Sequence, residues 1–379
     1  MKTLDTRDRA TFMHTIWATM LVALAAAPSL AASYSVLDLQ TLPGTDRSSA
    51  TALNDLGQVV GACTLELGSG TLYAFRTAPN SAINPITDGI GQPTGSIAYA
   101  INNNGQVAGS YFNSGYNRGF RTAPNAPIVP ATDDLGDFGG PVTIAYGLNA
   151  SGQTTGYSTT GTAFRSFRTD ANSPISPTDN LDSLGVSHIA GINDLGQVIG
   201  YYGLAAFRTG PNQPINLATN ALGSLGGGGT QPFAINNSGQ VVGSSYPSVG
   251  LYHAFRTAAN ASINPLTDDL GTLGGGSSGA WGINAAGEVV GSALTTAGEA
   301  HAFIYDATGM HDLNELIPDG SGWTLVTATA INNVGQIAGE GLISGHRHAF
   351  LLTNIPEPGT LLLLMSAAVG LTLRRGRAA

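Results

Sequence analysis

Seven times along this chain an apolar segment ends in Leu or Ile, followed by Asn, two variable residues and Gly. The copies begin at Leu53-Asn54, Ile101-Asn102, Leu148-Asn149, Ile192-Asn193, Ile235-Asn236, Ile283-Asn284 and Ile331-Asn332. Successive asparagines are 48, 47, 44, 43, 48 and 48 residues apart. No other feature constrains the fold as much. A unit of this length cannot bury its apolar face alone and must stack on its neighbours. Each unit also carries a Phe after a small residue: Phe75, Phe120, Phe167, Phe207, Phe255, Phe303 and Phe350.

Each unit reads as four short strands. The first ends at the Asn, as in Ala98-Tyr99-Ala100-Ile101-Asn102. The second is Gln-Val-x-Gly, as at 240–243, the third holds the Phe, as at 253–257, and the fourth lies at 263–268 and its equivalents. Between the first two, Asn-x-x-Gly is a turn signature: the Asn side chain bonds nearby backbone and Gly takes the left-handed position. Two residues before the Asn the side chain is always small. Three before, it is bulky in four units, at Tyr99, Tyr146, Phe233 and Trp281. Bulky faces nesting on bare ones would let successive sheets stack closely. The pattern predicts an all-β fold, a seven-bladed β-propeller of four-stranded blades, with a linear β-solenoid as the alternative.

Closure of such a ring has its own signal. Asp38-Leu39-Gln40-Thr41-Leu42-Pro43-Gly44 agrees at five of seven positions with Asp269-Leu270-Gly271-Thr272-Leu273-Gly274-Gly275, which follows a fourth strand. Residues 34–39 thus read as an orphan fourth strand, whereas the last unit has none after Phe350. The N-terminal strand 34–39 is expected to join the last blade, protecting two sheet edges.

The two ends read as addresses. Lys2, Arg7 and Arg9 precede a 12-residue apolar run at 16–27, and Pro28-Ser29-Leu30-Ala31-Ala32 offers small residues to a peptidase. That order predicts a signal peptide over residues 1–32, cut by signal peptidase between Ala31 and Ala32. Twelve helical residues rise about 18 Å, short of a hydrocarbon core of about 30 Å. At the other end Pro356-Glu357-Pro358 precedes an apolar run at 360–373 and the cluster Arg374, Arg375 and Arg377. The run is expected to enter the bilayer as a transient transmembrane helix, with the arginines on the cytoplasmic side. Residues 355–379 resemble the PEP-CTERM sorting signal of exported Gram-negative proteins. The resemblance implies processing by an exosortase-like enzyme and delivery to the cell envelope or extracellular matrix.

The repeat body, 33–354, resembles the HAF-repeat family of extracellular proteins. The triplet is literal at His253-Ala254-Phe255, His301-Ala302-Phe303 and His348-Ala349-Phe350, whereas Tyr73, Arg118, Arg165 and Ala205 replace the His elsewhere. The resemblance implies an exported protein of unassigned activity.

Charge narrows the partners. Between residues 33 and 355 nine arginines face 21 Asp and Glu, a net of −12. Such a body repels nucleic acid and anionic lipid. Cys63 is the only cysteine, so stability must come from packing rather than an internal disulfide. His253, His301 and His348 fall in different units and are not expected to converge on a metal; His346 and His348 alone are too few for zinc. Asp88, Asp133, Asp179 and Asp268 read as solvated strand ends. Arg76, Arg121, Arg168, Arg208 and Arg256 follow the Phe and are expected to pair with an Asp of the same unit, Arg256 with Asp268 for example. The glycine run 226–229 lacks the Lys and helix of a phosphate loop. These readings lead to an exported, non-enzymatic binding or scaffolding protein that needs no cofactor or metal, with exopolysaccharide as the candidate ligand. The alternative is a secreted polysaccharide lyase or hydrolase using carboxylates on one propeller face.

Overall fold

Every unit folds about its Asn-x-x-Gly turn. In the first, Asn54 Oδ1 accepts the backbone N–H groups of Leu56 (3.2 Å) and Gln58 (2.9 Å), and Gly57 sits at φ 78°. That left-handed conformation is open to a residue without Cβ. The chain reverses there and two antiparallel strands leave the turn. The structure, a computed structural model, describes residues 33–355 apart from 66–69, 92–94, 162, 182–187 and 249. Ala31, Ala32, Pro356, Glu357, Pro358, Arg374, Arg375, Arg377 and the two apolar runs lie outside the described residues.

The first strands are Arg47–Leu53, Ser96–Ile101, Thr143–Leu148, His188–Ile192, Thr230–Ile235, Gly274–Ile283 and Trp323–Ile331. The second strands are Val59–Thr64, Val107–Asn113, Thr154–Thr160, Val198–Tyr202, Val241–Ser248, Val289–Thr295 and Ile337–Ile343. The third strands, which hold the Phe, are Tyr73–Arg76, Tyr116–Arg121, Ala163–Arg168, Ala205–Arg208, Leu251–Arg256, Ala300–Asp306 and His346–Ile355. Each trio pairs in chain order.

Two local devices recur in all seven. The register of the first strand skips one residue, at Thr51, Tyr99, Tyr146, Ala190, Phe233, Trp281 and Thr329. Such a bulge re-aims the extra side chain. Opposite it, the Gly of Gln-Val-x-Gly pairs with the Phe of the third strand: Gly61 with Phe75, Gly109 with Phe120, Gly156 with Phe167, Gly200 with Phe207, Gly243 with Phe255, Gly291 with Phe303 and Gly339 with Phe350. A Cβ on Gly291 would lie 2.0 Å from the Gly279 carbonyl oxygen and 2.6 Å from the Phe303 ring. The carbonyl two residues before the bulge and the ring fill the space a side chain would take, and all seven rings are fully buried.

The expected propeller of four-stranded blades is overturned. The described residues form seven separate antiparallel sheets, five with three strands and two with four, and no sheet closes on itself. The segment expected as a fourth strand is a turn or one helical turn in five units, touching the third strand through a single bridge such as Phe255↔Asp269. Proline explains part of this: Pro130 and Pro177 open short helical turns at Pro130–Asp133 and Pro177–Asp179, and a proline cannot donate to a ladder. A side-chain cap explains the rest, Asn220 Oδ1 for the Asn216 N–H of unit four at 2.8 Å and an aspartate in the other four. Asp268 Oδ2 accepts the Asn264 N–H at 2.8 Å, as do Asp88 with Asn84, Asp133 with Val129 and Asp179 with Ser176. These four carboxylates are buried, not solvated strand ends.

The two four-stranded sheets differ in origin. One gains Gly309–Asp312; in the other, Ser33–Asp38 lies beside the last third strand, His346–Ile355. Tyr34 and Leu39 are buried there, Leu39 N–H donates to the Ala349 carbonyl at 3.0 Å, and Asp38 contacts His348 Nδ1 at 2.9 Å.

Side chains, not a shared ladder, join the sheets. Asn54 Nδ2 donates to the Asn102 carbonyl (3.1 Å), Asn102 to Asn149 (3.1 Å), Asn149 to Asn193 (3.2 Å), Asn193 to Asn236 (3.0 Å), Asn236 to Asn284 (3.0 Å) and Asn284 to Asn332 (3.3 Å). Asn332 donates back to Asn54 at 3.0 Å. The cycle returns to its start across a sequence separation of 278 residues. Small residues permit the approach: a Cβ on Gly282 would lie 3.1 Å from Ala330 Cα of the next unit.

Candidate functional site

Four of the seven bulges hold an aromatic side chain. They do not nest on the bare positions of a neighbour but meet one another, Tyr99 with Tyr146 at 4.9 Å and Phe233 with Trp281 at 4.2 Å between ring centroids. The second pair walls a cleft of about 380 Å³ between units five and six, with Tyr252 as a third ring. Tyr252 is in turn packed on Tyr246, 3.8 Å between centroids.

The polar groups of this cleft are neutral. Gln231, Ser244, Ser277, Ser278 and Ser292 line it, and no charged side chain does. Ser278 is committed to the fold, linking the Ala254 N–H to the Gly271 carbonyl, and Ser292 Oγ accepts from Trp281 Nε1 at 3.3 Å. The Ser244 hydroxyl, 8 % exposed, has no hydrogen-bond partner among the described residues, nor do the Ser277 hydroxyl and the Gln231 amide. A buried hydroxyl left without a partner costs about 1–3 kcal/mol. A ligand that supplies hydroxyls and an apolar face would satisfy these groups.

A second cavity, about 210 Å³, lies at the asparagine cycle and is lined by three consecutive residues from each unit. Its amides already serve the fold: each cycle asparagine except Asn284 also donates to a Gln four residues on, as Asn54 to Gln58 at 2.9 Å, and Asn284 donates to Glu288. Asp55, at its rim, is held below the usual carboxylate range. Burial pushes it up, but the Asn333 N–H and the Asn103 and Asn333 amides outweigh this.

The histidines and arginines take positions that the repeat did not disclose. His253 faces Asp269 (2.9 Å), His301 faces Asp312 (2.5 Å) and His348 faces Asp38, while Arg118 takes the same place against Asp134 at 3.0 Å. Among the described residues no group of three or more His, Cys, Asp or Glu could hold a metal ion. The arginines after the Phe do not pair with an Asp of their own unit; they cross to carbonyls of the next. Arg76 reaches Ala126 (2.9 Å), Arg121 reaches Ser173 (3.1 Å), Arg168 reaches Gln213 (3.2 Å) and Arg208 reaches Ala261 (3.0 Å). Arg256 binds the Gly287 carbonyl and lies over the Tyr305 ring, while its backbone N–H, not its side chain, bonds Asp268. Burial lowers the arginine pKa at 76, 121, 168 and 208. Carbonyl partners suit a guanidinium where a carboxylate cannot reach.

One recurring motif went unread in the sequence. Arg-Thr-x-x-Asn occurs at 76–80, 121–125, 168–172, 208–212 and 256–260. Its Asn adopts φ between 51° and 55° in every copy. The Asn oxygen accepts from the Gln of the preceding unit, as Asn125 from Gln58 at 3.1 Å, and Asn80 accepts from Gln336 of the last unit at 2.7 Å. The spacing was visible; that the partner comes from another unit was not.

Buried tyrosines predict a pH response. Burial, with Glu288 and Asp306 nearby, pushes Tyr34 up to about 12, and burial with the Asp134 hydrogen bond pushes Tyr111 up to about 12. Burial and neighbouring Tyr157 and Tyr99 raise Tyr146 further. An acid raised on folding binds its proton more tightly in the native state, so its contribution is complete below pH 10 and is lost as pH rises toward 12. The denaturation midpoint should therefore fall progressively above pH 10, and less steeply in Tyr34→Phe. A midpoint flat from pH 9 to 11.5 would contradict this.

Comparison with known families matches residues 354–377 to the PEP-CTERM protein-sorting motif. No curated protein matches the chain. The motif marks an exported protein, processed by an exosortase and sorted to the cell envelope or surface of a Gram-negative bacterium. Among the described residues no helix is long and apolar enough to cross a membrane.

Proposed function

We propose that the repeat body binds a neutral extracellular polysaccharide without turning it over, and that sorting places this binding activity in the envelope or surrounding matrix. The carrying observation is the Phe233–Trp281–Tyr252 cleft with its unpartnered Ser244, Ser277 and Gln231. Aromatic faces pack on the apolar faces of sugar rings, and neutral hydroxyls and amides complement sugar hydroxyls. A body of net charge −12 and a cleft without cations favour a neutral glycan over an acidic one. Eight carboxylates are engaged within the fold, four capping backbone N–H groups and Asp38, Asp134, Asp269 and Asp312 each holding a His or Arg, and no carboxylate lines the cleft. This supports binding over catalysis. Removal of the leader by signal peptidase between Ala31 and Ala32, and transient membrane contact through 360–373, complete the proposed route. The likeness of the units to HAF repeats rests on the His-Ala-Phe triplets.

Affinity electrophoresis tests the reading. The purified protein should be retarded in gels containing at least one of dextran, laminarin or galactomannan, and not by alginate. Trp281→Ala should weaken the retardation about tenfold, near 1.4 kcal/mol, the loss of one aromatic contact. Retardation by none of the neutral polymers, or indifference to Trp281→Ala, would overturn it.

A further inference from the structure

We infer a second saccharide platform, on units two and three, so that one molecule holds two neutral polysaccharide strands at once; this rests on the reading above. The bulges of units two and three present Tyr99 and Tyr146, the positions equivalent to Phe233 and Trp281. From Tyr146 the aromatic row continues outward along unit three, to Tyr157 at 5.9 Å and then to Phe164 at 5.3 Å, edge-on. None of these four rings is fully buried, and Phe164 is 46 % exposed. Three of the four rings, Tyr99, Tyr146 and Tyr157, carry phenolic hydroxyls. A row of rings with phenolic hydroxyls offers a saccharide the same two contacts as the cleft.

The platforms are separate at the level of the bulges, where the aromatics are interrupted in both directions; the His188–Tyr201 stack of unit four, 4.8 Å between centroids, does not involve the bulge residue. Unit four has Ala190 at its bulge. Units seven and one have Thr329 and Thr51, whose hydroxyls turn to the Ala50 and Ala98 carbonyls of the following units at 2.9 and 2.7 Å. All seven bulges stand three residues before the cycle asparagine, so both aromatic pairs occupy one level of the repeat. Two sites on one compact unit convert binding into cross-linking, and linkage raises avidity without any new contact.

The test is titration calorimetry of the protein with hexasaccharides of dextran, laminarin and galactomannan, paired with light scattering of the intact polymers. The expected result is two sites per chain for at least one hexasaccharide, reduced to one by Trp281→Ala, to one by Tyr146→Leu and to none by both. The polymer should aggregate with the native protein and with neither single variant. Tyr99→Leu serves in place of Tyr146→Leu if thermal melting shows the latter misfolded. A single site, abolished by Trp281→Ala and untouched by the tyrosine changes, overturns the second platform and leaves the cleft standing. A single site weakened by both changes overturns it in favour of one extended groove. No heat with any hexasaccharide overturns both readings.

Discussion

Deleting residues 34–39 should destabilise the exported protein by about 3–6 kcal/mol from Tyr34 and Leu39 alone, taking about 1.5–3 kcal/mol for each large side chain fully buried. The strand contributes more than area. Its loss bares the edge of His346–Ile355 and leaves His348 without Asp38. It also removes the Leu39 carbonyl that accepts the Ile83 N–H of the first unit at 2.8 Å. The first and last units would still share Asn332–Asn54, Gln336–Asn80 and the Arg47–Glu340 ion pair at 3.0 Å. The deletion should therefore yield a weakened fold that associates through its open edge. Equilibrium denaturation and size-exclusion chromatography measure both effects. A midpoint within error of the native protein, with no association, would mean that the strand is dispensable.

Phe255→Ala is the second large effect, about 3–5 kcal/mol, the range for removing a buried Phe without collapse of the site. Collapse is blocked here by the backbone. Phe255 pairs with Gly243, where a Cβ would lie 2.0 Å from the Gln231 carbonyl oxygen, so adding Gly243→Ala cannot refill the void. The control is Phe164→Ala, on a ring already 46 % exposed, which should cost under about 1 kcal/mol. Equal losses for the two substitutions, read from urea denaturation, would show that the Gly–Phe pair does not hold the unit.

How much was legible follows from the range of each interaction. The Asn-x-x-Gly turn could be read because its partners are two and four residues away, as Asn54 with Leu56 and Gln58. The Gly-to-Phe pairing was half legible: both positions recur, but the carbonyl that makes Gly obligatory belongs to another strand. The expected fourth strand at 263–268 gives way to a turn because two local signals there, Pro265 and the capping Asp268, disfavour a ladder. The arginines were misassigned for a different reason. Charge suggests a carboxylate partner, whereas a buried guanidinium takes the carbonyls that geometry offers, and those belong to the next unit.

The cleft was the least legible feature. Phe233 and Trp281 were visible as bulky residues at one repeat position. That they face each other, with Ser244 unpartnered between units, depends on the bulge and on how closely the small residues let neighbouring strands approach.

From its letters alone this chain announces seven like units, the hairpin turn within each, an acidic body and a C-terminal sorting motif, because these depend on contacts a few residues long or on composition. Tertiary structure decided the strand count of each sheet, the asparagine cycle that returns from Asn332 to Asn54, and the pairing of aromatic rings across units. Those depend on groups 40 to nearly 300 residues apart, brought together only when every unit has already found its neighbour.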